Sequence, residues 1–399
     1  MNNTSNRILL KNMRVFAGDQ MIEHGYIKME DGKITDIGDV ENLQTDGDDY
    51  TEVAILENYI AVPGFIDMHI HGVNGADTMD ATKEALDTMT ESLPKEGTTS
   101  FLATTMTQHV DAIEKALRNV GDYIKNGSTP GRAEIIGIHL EGPFVNSEKA
   151  GAQPEEFMIN PDIEIFEEWQ KLTNNMIKLV TVAPELPGGL PFVRHLNSHG
   201  VIASIGHTNA TYDQVVEAID AGATHVTHLY NQMRGLHHRE PGVVGAAFLH
   251  EELKAEMIVD GVHVHPKMVK LAYEQKHDDG LILVTDAMRA KCLPNGTYDL
   301  GGQDVHVKDG RATLADGTLA GSILKLGQAV KNMIEFSGCT LKETIQMASV
   351  NPAVQLNIFD RKGSIEVGKD ADIVILDDQL NVQYTYCMGK LAYEKNDGV

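Results

Sequence analysis

The sequence predicts a (β/α)₈ barrel joined to a small β-sandwich made from both chain ends. Through the middle of the chain, short apolar runs alternate with helix-period segments, the pattern of βαβ units and a parallel sheet. Eight such runs fit a closed barrel better than an open sheet. The opening and closing stretches read as strands without helices between them, and 399 residues leave room for such an accessory unit beside one barrel.

At the amino end, residues 8–16, 26–30 and 33–37 read as strands, the last two joined by Asp31-Gly32, a two-residue hairpin signal. At the carboxyl end, residues 371–376 and 381–386 alternate or run apolar between turn residues. Neither stretch makes a domain alone. Pairing them gives one small sandwich of residues 1–62 and 361–399, with residues 63–360 as the catalytic barrel. The eight barrel strands are expected to end near Ile70, Ala103, Glu141, Ala183, Gly206, His228, Val259 and Asp286. Helices are expected over 81–95, 110–125 and 212–221, with later ones over 320–337 and 341–349.

Composition narrows the function. With 42% hydrophobic and 23% charged residues and 37 glycines, the chain is an ordinary soluble α/β protein, not collagen-like, disordered or a disulfide scaffold. A formal charge of −25 repels nucleic acid and anionic membranes, so neither is expected as a partner. An anionic substrate would need a local basic element. Cys292, Cys339 and Cys387 lie far apart and lack thiolate zinc spacing, so they read as reduced thiols. Residues 1–7 are polar, no run of about 20 apolar residues follows, and the cytoplasm is the expected compartment.

The chemistry gathers at strand ends. His69 and His71 in the first strand point the same way, about 6 to 7 Å apart, close enough to share a metal. In a chain with 17 histidines such a pair alone means little. However, Glu141 closes the third strand, His207 follows the fifth, His228 the sixth, His263 the seventh and Asp286 the eighth. That is the face where barrel enzymes build their sites. Imidazoles and carboxylates converging there suit Zn²⁺ or Fe²⁺ with a position left for water. Asp286 can then orient that water and take its proton. His225 and His228, three apart, fall on opposite faces of a strand, and His228 is the preferred ligand; His225 reads as a packed histidine. His109, His250 and His277 read as surface residues.

Pro63-Gly64-Phe65-Ile66-Asp67, His69-x-His71, His139-Leu140-Glu141-Gly142-Pro143, Gly206-His207-Thr208, Thr227-His228-Leu229-Tyr230-Asn231, His238-Arg239-Glu240-Pro241-Gly242, Asp260-Gly261-Val262-His263 and Thr285-Asp286-Ala287-Met288 together resemble the amidohydrolase superfamily. The Glu141 motif and the Arg239 loop look like its N-acetylglucosamine-6-phosphate deacetylase branch. The resemblance implies that Glu141, His207 and His228 hold a principal metal and that Asp286 serves as general base, then acid. His69 and His71 would help hold a second metal bridged by Glu141, giving one or two divalent ions per subunit. It implies an oxyanion contact from His263 and sugar-phosphate contacts from Ala152, Gln153, Asn231, Gln232 and Leu319. It also implies a homodimer in which Arg239 reaches the partner's site. The alternative for Arg239 is pairing with Glu240. Two positions depart from the branch, since some relatives carry histidine where this chain has Gln153 and alanine where it has Gln232. No lysine stands at the third or fourth strand end, which weighs against dihydroorotase or hydantoinase activity. Deacetylation of N-acetylgalactosamine 6-phosphate is the main rival; a non-catalytic barrel would have no use for Asp286.

Overall fold

The computed structural model describes residues 7–44 and 50–395. Most of the polar stretch 1–7 and the last residues of the expected sandwich, 396–399, lie outside them. Eight parallel strands follow one another around a barrel: Phe65–Ile70, Thr98–Thr104, Glu134–Glu141, Ile177–Val182, Ile202–Ile205, His225–Val226, Lys254–Ile258 and Leu281–Val284. Most of their residues are apolar because the strands are buried on both faces, by the helices outside and the packed lumen inside.

The last strand meets the first through the Asp67 side chain and through backbone pairing at the strand ends, where His71 N–H and Gly72 N–H donate to the Ala287 carbonyl at 2.9 and 3.0 Å. Asp67 accepts hydrogen bonds from Thr285 N–H at 3.2 Å, Thr285 Oγ1 at 2.6 Å and His69 N–H at 3.2 Å. Burial pushes its carboxyl up to about 6, against the pull of Lys291 and the Thr285 hydrogen bond. The Asp286 N–H then donates to the His69 carbonyl at 2.8 Å, so the first and eighth strand ends meet at the future site.

Helix Val110–Lys125 buries Ile113, Ala116, Leu117, Val120 and Gly121, spaced at three and four to form one stripe. Helix Tyr212–Asp220 starts on a Thr211/Gln214 capping box. Other boundaries depart from expectation. The segment expected over 81–95 begins its helix at Lys83, because Ala81 takes a left-handed φ of 52° and Thr82 caps. The helix expected from 320 runs only over Leu326–Ser337. Residues before it are used elsewhere: Ser322 pairs with Asp286 and Met288 (Ser322 N–H to Asp286 O 2.7 Å, Met288 N–H to Ser322 O 2.9 Å). The helix at 341 continues past 349, through a wider turn at Gln346–Val350, to Gln355. His109 and His277 are exposed, whereas His250 is half-buried, its ring 3.0 Å from the Tyr212 hydroxyl.

The two chain ends share one eight-stranded sheet. Ile60–Pro63 lies between Ile373–Leu376 (antiparallel) and Arg7–Ala17 (parallel), and Thr51–Ala54 pairs with the other half of Arg7–Ala17, so the sheet forks there. Gln20–Glu30, Lys33–Asp39, Val382–Cys387 and Lys390–Glu394 complete it. Its own core includes Leu10, Met13, Ile27, Ile375 and Tyr386.

A buried charge cluster joins this sheet to the barrel. Lys362 Nζ lies 2.9 Å from Glu134 Oε2 and 3.2 Å from Asp370 Oδ2, and it also contacts Asp372. Arg361 Nη1 lies 2.9 Å from Glu134 and 2.7 Å from Asp370. A three-stranded antiparallel insert, Gly296–Leu300, Gln303–Lys308 and Arg311–Thr313, follows the eighth strand and was not anticipated.

Candidate active site

The strand ends converge as their residue types suggested, and the backbone explains how. His207, His228 and Asp286 each adopt a left-handed φ, 44°, 32° and 46°. Such conformations cost about 1–3 kcal/mol apiece for residues with a Cβ. Each lies just past its strand, where leaving the extended conformation turns the side chain over the barrel mouth. Behind Glu141, Gly142 has φ 79°, and a Cβ there would meet Thr107 Oγ1 at 1.9 Å, so the turn that presents the carboxylate needs glycine.

Glu141 is the hub. Its Oε1 lies 3.2 Å from His207 Nε2, 3.3 Å from His228 Nε2 and 3.4 Å from His69 Nε2, and its Oε2 lies 3.2 Å from His71 Nε2. The His207 and His228 Nε2 atoms are 3.1 Å apart. Asp286 Oδ1 lies 3.5 Å from His69 Nε2 and 3.3 Å from His71 Nε2. Two donor sets therefore meet at Glu141: Glu141, His207 and His228 on one side, and His69, His71 and Asp286 on the other. Burial pushes the Glu141 carboxyl up, but the surrounding imidazoles outweigh it and hold it well below the usual range. For Asp286 burial likewise raises and His69 and His71 prevail, leaving it below its ordinary value.

These residues fit a divalent ion. Tetrahedral bonds of about 2.0–2.1 Å to nitrogen and oxygen ligands place those ligands about 3.3–3.4 Å from one another, close to the 3.1–3.3 Å among Glu141, His207 and His228. His69 Nε2 is buried, aimed at the cluster and without a hydrogen-bond partner, as a lone pair reserved for a metal would be. His207 Nδ1 is tied to the Lys149 carbonyl at 2.8 Å, leaving its Nε2 for the site.

The cleft above spans about 480 Å³, part of it open to solvent. Ala152, Gln153, Asn231, Gln232, His263 and Leu319, all expected to meet substrate, line it together with every member of the donor cluster except the deeper His69. Gln153 uses its side chain inward: its Oε1 accepts Thr107 N–H and its Nε2 donates to Glu141 Oε2, each at 2.8 Å. His263 Nδ1 lies 2.7 Å from Asp260 Oδ2, which turns the other ring nitrogen outward. Burial lowers the His263 imidazole, but the Asp260 contact outweighs it and holds it above its ordinary value.

Arg239 does not line this cleft. It is exposed on a hairpin tip, its Nη1 2.8 Å from His238 Nε2. Glu240 is not its partner, because Glu240 Oε1 accepts backbone N–H groups from Tyr212 at 2.8 Å and Gly242 at 3.0 Å. His225 lies inside the barrel, Nε2 3.3 Å from Glu256 Oε1.

Sequence reasoning missed several contributors. Met106 and Leu300 form apolar walls, the latter from the unanticipated insert. Asp260, three residues before His263, is spaced to orient that ring. Glu256 is a further contributor. Its signal is a carboxylate between Ala255 and Met257 in an otherwise apolar stretch, 255–258.

Residues 60–392 match the amidohydrolase family model. The chain is 46% identical over 389 residues to N-acetylglucosamine-6-phosphate deacetylase of Bacillus subtilis (strain 168), covering 97% of each chain. It is 36% identical to N-acetylgalactosamine-6-phosphate deacetylase of Escherichia coli O157:H7, covering 96% of this chain and 99% of that one. A solved variant of the Mycobacterium smegmatis N-acetyl-D-glucosamine-6-phosphate deacetylase, in complex with N-acetyl-D-glucosamine 6-phosphate, superimposes with a TM-score of 0.89 at 31% identity, covering 97% and 99%. The chain belongs to the amidohydrolase family, among metal-dependent hydrolases.

Proposed function

We propose that this protein hydrolyses the acetamide of N-acetylglucosamine 6-phosphate, releasing acetate and glucosamine 6-phosphate in amino-sugar breakdown or recycling. The observation that carries this reading is the pair of donor sets meeting at Glu141, beside an Asp260-oriented His263, in a chain 46% identical to a deacetylase of that name. Glu141, His207 and His228 would hold the principal ion, and His69, His71 and Asp286 a second. Zn²⁺ and Fe²⁺ both suit these nitrogen and oxygen donors. A bound divalent ion lowers the pKa of its water toward 7 and polarises a carbonyl.

The chain's own residues do the rest. Asp286 takes the proton of the attacking water and passes it to the departing nitrogen, because a free amine leaves where an anionic one does not. His263, whose charged form Asp260 favours, donates to the carbonyl oxygen as negative charge develops on it. The Ala152-Gln153 turn, Asn231, Gln232 and Leu319 shape the sugar pocket.

The phosphate finds no anchor in the cleft of one chain, since among the described residues its lining holds no lysine or arginine. The exposed Arg239, free of Glu240, supplies one to a second copy, so the working form is a homodimer with sites completed in trans. A guanidinium fork matches phosphate geometry. We assign residues 63–360 to the catalytic barrel and 1–62 with 361–399 to the accessory sheet. The reaction belongs in the cytoplasm, which fits three unpaired cysteines and the absence of any described helix long and apolar enough to cross a membrane.

N-acetylgalactosamine 6-phosphate is the second reading, favoured by the relative that bears its name. Acetate release measured side by side on the two sugar phosphates separates them. Faster turnover of the glucosamine compound supports the first reading, and the reverse order replaces it.

A further inference from the structure

Beneath the donor cluster lies a carboxylate that takes no place among the proposed ligands. Glu256, in the seventh barrel strand, has no solvent exposure. Its Oε2 accepts from His69 Nδ1 at 2.8 Å and from the His228 backbone N–H at 3.1 Å, and its Oε1 faces His225 Nε2 at 3.3 Å. Its own carbonyl accepts the Leu229 N–H at 2.8 Å.

We propose that Glu256 is a positioning residue that couples the two halves of the metal site. One of its oxygens holds a donor residue of each half: His69, from the set with His71 and Asp286, and His228, from the set with Glu141 and His207.

Acceptance at His69 Nδ1 fixes the proton there and leaves Nε2 as a lone pair. That Nε2 is the buried, unpartnered atom aimed at Glu141 and Asp286. Without Glu256 the ring is free to place its proton on Nε2 and donate to either carboxylate, which removes it as a ligand. At His228 the effect acts through the backbone. The sixth strand ends at Val226 and His228 has φ 32°, so its N–H lies beyond the strand ladder. Glu256 clamps this turn twice, with its side chain on His228 N–H and its main chain on Leu229 N–H.

A carboxylate suits the place because it accepts only, and three donors face it once His225 carries its proton on Nε2. Burying that charge is costly unless every lone pair is used. The coupling predicts that a change at Glu256 weakens both halves together, although Glu256 would touch neither ion.

This inference rests on the reading of the cluster as a metal site and is independent of the substrate. The test is Zn²⁺ binding to the metal-stripped full-length protein by competition with a chelator of known affinity. Stoichiometry and the melting temperature of the metal-free protein are measured alongside. Glu256→Leu, which keeps the volume and removes the acceptor, is expected to bind Zn²⁺ about 10 to 100 times more weakly, the usual loss on removing a carboxylate that orients a metal-bound histidine. Glu256→Gln, whose amide oxygen can still accept from His69 and His228, is expected to lose less than about tenfold.

Wild-type protein that binds no Zn²⁺ would remove the metal reading itself. Wild-type protein that binds it, with Glu256→Leu binding equally well, overturns the positioning role alone. A Leu variant with a lowered metal-free melting temperature but unchanged affinity also overturns it, as a packing role predicts. Should the Leu variant not fold, Glu256→Gln decides: a folded protein that loses more than about a hundredfold contradicts hydrogen-bond positioning, and retention within about tenfold supports it.

Discussion

Replacing Lys362 with methionine tests the joint between barrel and end sheet, and its cost can be worked out partner by partner. Glu134 and Asp370 keep Arg361 Nη1 at 2.9 and 2.7 Å, and Asp370 also keeps Lys33 Nζ at 2.7 Å. Asp372 keeps only the Met388 N–H at 2.8 Å. The substitution therefore strands one buried carboxylate, which costs about 3–5 kcal/mol. For a 399-residue chain the unfolding entropy is about 0.8 kcal/mol per kelvin, so the melting temperature should fall by about 4–6 °C near neutral pH.

The pH dependence has a definite sign. Burial already raises the Asp372 carboxyl above its ordinary value, against the pull of Lys362, and loss of the ammonium raises it further. Folded variant then holds a proton that unfolded chain has released, so its stability falls as pH rises from the ordinary aspartate range, about 3.9, through the raised folded value. The deficit against wild type should shrink in mild acid. Thermal melts of metal-loaded samples at pH 7.5 and 5.5 measure it, and adding Asp372→Asn should recover at least half the loss. A pH-independent deficit, or no recovery, would refute the assignment of the cost to Asp372.

Three further outcomes concern the site. Asp286→Asn should retain metal on the Glu141 side, measured on the purified protein, yet lose about 10²–10⁴-fold in turnover for want of the base; an active variant contradicts its role. Arg239→Ala should raise KM for the sugar phosphate by roughly 10–150-fold, the worth of hydrogen bonds between charged groups, with little change in kcat. Equal loss on a phosphate-free analogue would remove the phosphate assignment. His207→Ala should lower Zn²⁺ affinity and abolish the rise in melting temperature that the metal gives wild type, so a thermal shift like that of wild type would exclude His207 as a ligand.

Much of this architecture was legible because the same residues state both strand and site. Glu141, His207 and Asp286 each close or follow a largely apolar run, and leaving the strand at that point is what aims them at the barrel mouth; His228 follows only the short His225–Val226 strand. The reading failed where a residue's task is set by partners distant in sequence. Glu256 is 187 residues from His69, and no local pattern links them. The insert at 296–313 was different, since Gly301-Gly302 and Asp309-Gly310 are hairpin signals of the kind credited at Asp31-Gly32. A (β/α)₈ repeat by itself gives no reason to expect antiparallel strands after the eighth barrel strand. The helix expected from 320 began late because strand-like pairing of Ser322 with the eighth strand end prevails over helical propensity there. Gln153 is expected to contact the sugar phosphate, and its side chain also braces Glu141, a contact that needs the third strand end and the Thr107 loop already in place.

The central claim is that a metal held at Glu141, His207 and His228 serves amide hydrolysis of an acetylated sugar phosphate. Acetate release from N-acetylglucosamine 6-phosphate by the purified protein, before and after chelation and with metal counted on the same sample, tests it most directly. The account predicts turnover that falls with metal content and returns when Zn²⁺ or Fe²⁺ is restored. Metal-replete protein that releases no acetate would contradict it.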